Sequence, residues 1–398
     1  MSSTTPLFSL LLLLFLPLPL LAQHTTSEVL SRIEQNNTTL IALRQTAEAE
    51  KLANRAELGL PDPEVEYGYL WGKPSEIGNR QDLSITQTFD AATLSGMKHR
   101  VASLQNQGID LQYQAERQQL LLQARLLLID LTYCNALIRE QQTRLDQAAT
   151  LVQAEVKRLN QGDGTLLDRN NAQINHTHAL AELQRTEAER TSILSQLALL
   201  NGGEPLDFTA DTFEPVSLPL DFNAWYADNE SRLPALQQAQ NALLLSRKQL
   251  SLQRTACIPS LTLGFMSEKT HDEHYRGLTA GISIPLWNGR RKVQQAKADI
   301  IAAESQQIDA VTQQYGQLHA LYEHALSLQS TVSTYRATLA QNDNTELLRK
   351  ALDAGQISLI EYIGSLSIYY DLLDATLSSE RDYQKAVAEL TTSVTGEL

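Results

Sequence analysis

Two pairs of histidines are the residues that most directly suggest metal chemistry in this chain. His176 and His178 lie two positions apart in a segment with helical periodicity, and His271 and His274 lie in a polar loop. Helical side chains two positions apart diverge by about 200°, so the first pair cannot bind one ion together. The loop pair has freer geometry, but a solvated hairpin tip is the simpler account. We predict no metal site, with His271 and His274 as the alternative.

The acidic and nucleophilic residues form no recognisable catalytic pattern. The sequence contains no glycine-rich phosphate loop, no Ser/His/Asp arrangement and no Cys/His metal spacing. Glu64 and Glu66 share one side of an extended segment, but no matching pair of acids suggests hydrolysis. We therefore predict a protein that is not an enzyme and needs no cofactor, in which these two acids line a pore or its rim.

Two glycine turns carry the other acids of interest, and each opens an apolar helical segment. The residues are Gly162, Gly164, Thr165 and Asp168 at the first turn, and Gly355, Ser358 and Glu361 at the second. In a capping box, the hydroxyl accepts an orphan amide hydrogen and the acid reaches back, a role that Asp fits less well than Glu. The functional alternative places both turns at exposed coiled-coil tips that dock a partner, with Asp168 and Glu361 around the end of a pore.

Four extended segments alternate apolar with small or polar residues, as β-strands do. Their apolar positions are Val65, Tyr67, Tyr69 and Trp71; Leu83, Ile85 and Phe89; Leu261, Leu263 and Phe265; and Leu278, Ala280, Ile282, Ile284 and Leu286. Turn-rich loops at 73–79 and 267–276 join them into hairpins over residues 62–90 and 258–288.

A half-buried sheet in a soluble protein would give the same alternation. In lipid, however, four strands would leave two edges with unsatisfied backbone groups, and single-chain membrane barrels need about eight strands. Hairpins that face lipid through residues such as Tyr67 and Phe265 therefore require several chains to share one barrel.

The rest of the chain is predicted to be helical, over residues 26–58, 97–160, 166–200, 224–256, 289–352 and 359–393. The segment from Met97 to Asn160 contains no proline, which allows a helix of about 90 Å. The last helix carries the heptad seam Leu359, Ile363, Leu366, Tyr370, Leu373 and Leu377. This spacing predicts paired coiled coils, with an ordinary helical bundle as the alternative.

Residue matches at a constant offset indicate an internal duplication. They pair Gly162 with Gly355, Asp168 with Glu361, Glu187 with Glu380, and Leu197 with Leu390. We expect a signal peptide at residues 1–22, one repeat at 23–202, a loose connector at 203–223 and a second repeat at 224–398.

Charge and composition limit the kinds of partner and membrane segment that the chain can have. The formal net charge is −14 and the acidic residues are spread along the chain, which argues against a nucleic-acid partner, because no basic patch could neutralise phosphates. The most apolar later segment, residues 118–138, contains Arg125 and Asp130, so we predict no membrane-spanning helix. Cys134 and Cys257 are predicted to lie about 55 Å apart along the helix, which is too far for a disulfide.

Taken together, these features resemble the TolC family of bacterial outer-membrane efflux proteins over essentially the whole mature chain. The residues that carry the resemblance are Asn36-Asn37, Leu60-Pro-Asp-Pro-Glu64, Pro285-Leu-Trp-Asn-Gly289 and the two glycine turns with Thr165 and Ser358. The signal peptide and the Pro-Asp-Pro segment are similar to the heavy-metal branch, although metals, drugs and secreted proteins are all compatible cargoes.

The resemblance implies a homotrimer whose chains each give four strands to a 12-stranded outer-membrane β-barrel and their helices to a periplasmic α-barrel. It also implies a periplasmic adaptor (membrane fusion) protein docked on the tips and an inner-membrane pump below it. Glu361 matches the first acid of the family's pore constriction, whereas Gly364 stands where the second is expected.

We therefore predict a passive channel in the outer membrane, driven by the pump. The alternative is an exported trimeric coiled-coil adhesin or stalk with a β anchor. A helical periplasmic enzyme ranks third, because the sequence has no recognisable catalytic site.

Overall fold

The protein is described by a computed structural model that covers residues 25–74, 77–285 and 289–395. The predicted signal peptide, residues 1–22, and the end of the second predicted hairpin, residues 286–288, lie outside the described residues.

Long helices and one four-stranded sheet make up the chain, and the order of helices, hairpin, long helix and final helix occurs twice. The elements are α1 (Thr26–Asn36), α2 (Thr38–Ala56), β1 (Glu64–Leu70), β2 (Arg80–Phe89), α3 (Ala91–Leu94), α4 (Met97–Gln161), α5 (Leu166–Leu200), α6 (Phe222–Asn229), a 3-10 turn (Glu230–Arg232), α7 (Pro234–Thr255), β3 (Ser260–Lys269), β4 (His274–Ser283), α8 (Gly289–Gln341), α9 (Thr345–Asp353) and α10 (Leu359–Thr395).

Helix α4 is the longest element, with 65 residues and a length of about 98 Å. It lies between two glycines in the left-handed region, Gly96 (φ 69°) and Gly162 (φ 83°), where residues with a Cβ would be strained. By length and composition α4 could cross a membrane, but 44% of its most apolar window is buried inside the protein. Because Leu121, Leu128 and Leu131 of α4 are at most 1% exposed, we assign α4 as a core helix.

The main core forms where α1, α4 and α5 meet. Leu128, Leu131 and Cys134 of α4 pack there with Ile33 and Leu197, and all five are almost completely buried. Burial raises the pKa of the Cys134 thiol to about 12, so the thiol is protonated at neutral pH. Both cysteines are free, in agreement with the sequence prediction.

The connector between the two halves packs closely, so the prediction of a loose segment is wrong. Phe208 is 3% exposed and lies in the core of α1, α4 and α5. The amide of Asn135 donates to the Ala210 carbonyl at 2.9 Å, and Gln384 of α10 donates to the Glu214 carbonyl at 2.8 Å. The prolines end regular structure here, but the apolar residues between them find a place in the core.

Three helices predicted to be continuous are interrupted. The first break is at Asn37, whose backbone is extended (ψ 115°) and whose Oδ1 accepts the Leu40 amide at 2.9 Å as the N-cap of α2. Its Nδ2 donates to the Leu200 carbonyl at 2.7 Å. Asparagine side chains compete with backbone bonds in this way, so Asn37 ends one helix and starts the next.

The other two breaks have equally local causes. Pro234 disfavours a helical conformation for Leu233, the residue before it. Helix α7 therefore begins at this proline. In the second half, Asp343 Oδ1 accepts both the amide (3.2 Å) and the hydroxyl (2.7 Å) of Thr345, which separates α8 from α9. The equivalent α4 continues unbroken.

We predict that Asn37→Ala lowers the free energy of unfolding by about 1–3 kcal/mol, because it removes the cap of α2 and leaves the Leu200 carbonyl without this donor. Denaturant unfolding followed by circular dichroism measures the effect. Thr39→Ala, an exposed change in the same helical turn, is the matched control and should change stability little. Equal losses in both variants would contradict the assigned role of Asn37.

Candidate functional site

The four strands form one antiparallel sheet in the order β1-β2-β3-β4, so the two hairpins join through β2 and β3. The second connection is shorter than predicted, because Ser267 and Arg276 face each other within the β3–β4 ladder. The turn itself comprises residues 270–273, closed by a bond from the Thr270 amide to the Glu273 carbonyl at 2.9 Å. Trp71, predicted to lie in a strand, follows the end of β1.

Strand register places the predicted apolar residues on one face. Directly opposed residues of antiparallel strands point the same way. One row across the sheet contains Val65, Ile85, Phe265 and Leu278, and the neighbouring rows bring in Tyr67 with Leu83, Leu263 with Ala280, and Phe89 with Leu261 and Ile282. Tyr69 lies on the same face next to Gln81, at the end of the sheet that bears the turns.

The exposure of the two faces is inverted relative to a soluble sheet. On the central strands, Ile85 is 42% and Leu263 46% exposed, whereas the polar residues Ser84 and Thr262 are partly sheltered; on the outer strands β1 and β4 nearly every residue of both faces is exposed. A soluble sheet buries its apolar face and hydrates the other. Here the apolar face looks outward, and no described helix covers it.

The opposite face, which we call the sheltered face because it is partly covered on β2 and β3, is polar and acidic. Thr88 and Thr262 share a hydrogen bond of 3.0 Å across β2 and β3. The charged residues of this face are Glu64, Glu66, Asp82, Glu268 and Arg80. The Arg80 guanidinium contacts Asp82 at 2.8 Å and Glu268 at 3.2 Å, which leaves acid in excess.

Both edges of the sheet are open. Among the described strands, β1 pairs only with β2, and β4 pairs only with β3. One row of backbone groups on each outer strand therefore lacks a strand partner. All four strands connect to helices at one end of the sheet and to turns at the other.

The two predicted tips lie at the same end of the helices. Leu151 of α4, Ala172 of α5 and Leu359, Tyr362 and Leu366 of α10 form one buried cluster next to both glycine turns. The heptad seam correctly included Leu359 and Leu366. It omitted Tyr362, which is 6% exposed, because a single seam cannot indicate that α10 packs against helices on two sides.

The second tip contains a complete capping box. The Ser358 amide and hydroxyl both donate to the Glu361 carboxylate at 2.8 Å, and the Glu361 amide donates back to the Ser358 hydroxyl at 3.3 Å. The bond from the Ser358 amide has the largest effect on Glu361, followed by the bond from the Ser358 hydroxyl. Both lower the pKa of Glu361 from its ordinary value of 4.5. Gly355 begins the turn in the left-handed region (φ 68°).

The first tip contains a partial box. The Asp168 amide donates to the Thr165 hydroxyl at 3.1 Å, and that hydroxyl donates to the Asp168 carboxylate at 2.6 Å. In contrast to Glu361, the shorter Asp168 side chain makes no bond to the cap backbone among the described residues. Gly164 is required sterically, since a Cβ there would lie 3.0 Å from Arg158.

Exposed apolar side chains accompany the caps, and sequence reasoning missed them. Leu166 and Leu167 are 57% and 67% exposed, and Ile360 is 66% exposed. Each lies within two residues of a cap, in the first turn of α5 or α10. The sequence signal for them is the pair of apolar residues that follows each capping hydroxyl, a pattern that an ordinary helix start also has.

A cavity of about 320 Å³ separates α4, α5 and α10 farther from the tips. Arg144 crosses it with a two-point contact to Asp374 (2.9 and 2.5 Å), and its guanidinium lies 4.3 Å from the centre of the Tyr370 ring. Burial raises the pKa of Tyr370 to about 12. His178 of α5 lines this cavity, and the Arg144 contacts hold α4 against α10.

The histidines do not gather metal ligands. His271 is exposed, with Asp272 at 3.9 Å, and His274 Nε2 bonds to Ser267 at 3.0 Å within the strands. In the described part of the chain, no three His, Cys, Asp or Glu side chains lie close enough to hold a metal ion.

Comparison with known proteins identifies the fold. No family model matches the sequence, and no curated protein matches it. Three solved structures match most of the chain at 13–15% identity. CusC, described for its transmembrane channel formation, matches with a TM-score of 0.77 over 94% of this chain and 92% of its own, at 15% identity.

Two outer-membrane channels match similarly. The Campylobacter jejuni channel CmeC has a TM-score of 0.75 over 94% of this chain and 86% of its own, at 13% identity. The open state of the Neisseria gonorrhoeae channel MtrE has a TM-score of 0.73 over 93% and 88%, at 14% identity. The predicted fold class is confirmed: the chain has the fold of these outer-membrane channel proteins.

Proposed function

We propose that the protein is the outer-membrane channel of a tripartite efflux system. Substrates would pass through it without a catalytic step, from a periplasmic adaptor and an inner-membrane pump to the exterior. The observation that carries this proposal is the sheet, which exposes its apolar face, carries acids on the opposite face and leaves both edges open among the described strands. Such a sheet suits lipid on one side and water on the other.

The open edges favour a homotrimer. In lipid, each unpaired backbone group costs several kcal/mol, so the edges of β1 and β4 require partners from other copies. Two copies would give about eight strands, a barrel that interior side chains fill. Three copies give 12 strands, which leaves room for a lumen lined by the threonines and acids of the sheltered face.

The helices extend this lumen away from the sheet. All strands connect to helices at the same end, so the helices lie on one side of the membrane and the turns on the other. Helix α4 is about 98 Å long, far more than the bilayer requires. We assign the helical part to the periplasm, because an exported chain inserted in the outer membrane has that compartment on its inner side.

The tips suit an adaptor protein. Leu166, Leu167 and Ile360 offer apolar contacts at the end of the helices, beside rigid turns. Asp168 and Glu361 place carboxylates at the same end, where they would favour cations at the pore mouth. The predicted docking residues Gly162, Gly164, Thr165, Gly355 and Ser358 shape these tips, and their contact with an adaptor is part of the proposal.

We expect the purified protein to form discrete, cation-preferring channels in planar bilayers. Asp168→Asn with Glu361→Gln should lower the cation preference, because two carboxylates per chain leave the pore mouth. Reversal potentials in asymmetric KCl measure it. Asp228→Asn in α6, an exposed acid outside the tip cluster, is the control and should leave selectivity unchanged.

A water-soluble monomer without conductance would contradict the channel. A trimer that inserts but does not conduct would instead support the coiled-coil adhesin or stalk. If the Asp168→Asn, Glu361→Gln variant conducts with unchanged selectivity, the channel proposal stands, but these two acids do not set its cation preference.

The two caps should differ in strength. Because the pKa of Glu361 is lowered in the folded protein, its contribution is complete above pH 4.5 and is lost as the pH falls through the lowered value. At neutral pH, Glu361→Gln should speed amide exchange in the first turn of α10 by roughly two- to fivefold. Asp168→Asn should speed exchange less in the first turn of α5. Hydrogen exchange measured by mass spectrometry compares the two variants. Equal effects would refute the difference between full and partial boxes.

A further inference from the structure

Four polar side chains form a compact group on the outward, apolar face of the sheet. Lys269 is directly opposite His274, and Ser267 is directly opposite Arg276. Opposed residues have Cβ atoms about 5 Å apart, so the four make a two-by-two block, which we call the outer polar block. It lies beside the β3–β4 turn, at the end of the sheet remote from the helices.

The two cations of the block have no acidic partner. Neither Lys269 nor Arg276 contacts a carboxylate among the described residues. Arg276 Nε instead donates to His274 Nε2 at 3.2 Å, and Ser267 Oγ lies 3.0 Å from the same nitrogen. At a similar level on the opposite face, Arg80 contacts two carboxylates. Among the described residues, the block therefore carries two cations without an ion-pair partner, with Asp272 and Glu273 in the adjoining turn.

An apolar column begins at the next row of the same two strands. Its rows are Phe265 with Leu278, Leu263 with Ala280, and Leu261 with Ile282. From Phe265 to Leu261 the column runs about 14 Å, a little over half the height of the apolar band of membrane barrels. Leu278 and Ile282 are 90% and 69% exposed. Positive charge thus lies directly above a surface that suits hydrocarbon chains.

We propose that the outer polar block binds the phosphate of an anionic lipid in the outer leaflet, whose acyl chains lie along the apolar column. A phosphate supplies several acceptor oxygens for the Lys269 ammonium and for the Arg276 N–H groups that His274 does not occupy. The column favours a lipid over a free phosphate ion, because only a lipid also covers the apolar rows. This inference rests on the proposed function, since it requires the apolar face to lie in a membrane.

Lipid retention by the purified full chain tests the site. The chain in neutral detergent would be mixed with dilauroyl phosphatidic acid, with dilauroyl phosphatidylcholine or with inorganic phosphate, and bound molecules counted by native mass spectrometry. We expect phosphatidic acid to be retained over phosphatidylcholine of the same chain length. Lys269→Gln with Arg276→Gln should weaken that retention at least about tenfold, and Arg276→Lys should keep part of it.

Arg80→Gln is the matched control, because it removes one cation at a similar level on the other face. Its retention of phosphatidic acid should equal that of the unaltered chain. Equal retention by the double variant, or binding of inorganic phosphate as strong as that of phosphatidic acid, would overturn the lipid site.

Bilayer conductance separates this inference from the proposed function. A double variant that conducts normally but loses phosphatidic acid supports both. A double variant that conducts normally and keeps the lipid refutes the block while the channel stands. Absence of conductance in the unaltered protein refutes the channel, and with it the membrane setting of the block.

Discussion

The unpaired backbone of the sheet edges is the constraint on which the rest of the structure depends. A sheet that faces lipid cannot use water to satisfy its edge amides and carbonyls, and four strands cannot close on themselves. The apolar face also has no cover among the described helices, so the sheet is incomplete as a soluble unit. In the trimer that we propose, the same residues close one wall, with acids and threonines inside and Tyr67, Phe265 and Leu278 outside.

The helices are subject to a different constraint. They are long and bury few residues relative to their length, yet they must keep a fixed position along one another. They do so with small clusters of buried residues separated by polar braces. Arg144 with Asp374 and Lys385 with Asp130 both tie α10 to α4, and Arg117 with Glu34 ties α4 to α1. Such partly exposed pairs contribute modest energy, but they fix the position of one helix along another. The connector adds backbone contacts between the halves.

The two halves are similar in order but differ in detail, and each difference has a local chemical cause. Helix α4 is continuous, whereas Asp343 interrupts its counterpart and separates α8 from α9. Glu361 completes a capping box, and the shorter Asp168 leaves one partial. The matched structures share 13–15% of their residues with this chain, so the fold does not require most of the particular side chains found here.

The sequence by itself determined the strands, the long proline-free helix, the glycine turns and their caps, because each is a local signal within a few residues. It could not determine that β2 pairs with β3, that the connector enters the core or that Tyr362 is buried, since these depend on contacts between distant segments. The block of Ser267, Lys269, His274 and Arg276 is the clearest case. In the sequence these residues are indistinguishable from a polar loop, and only the register of two strands places them side by side on the outer face.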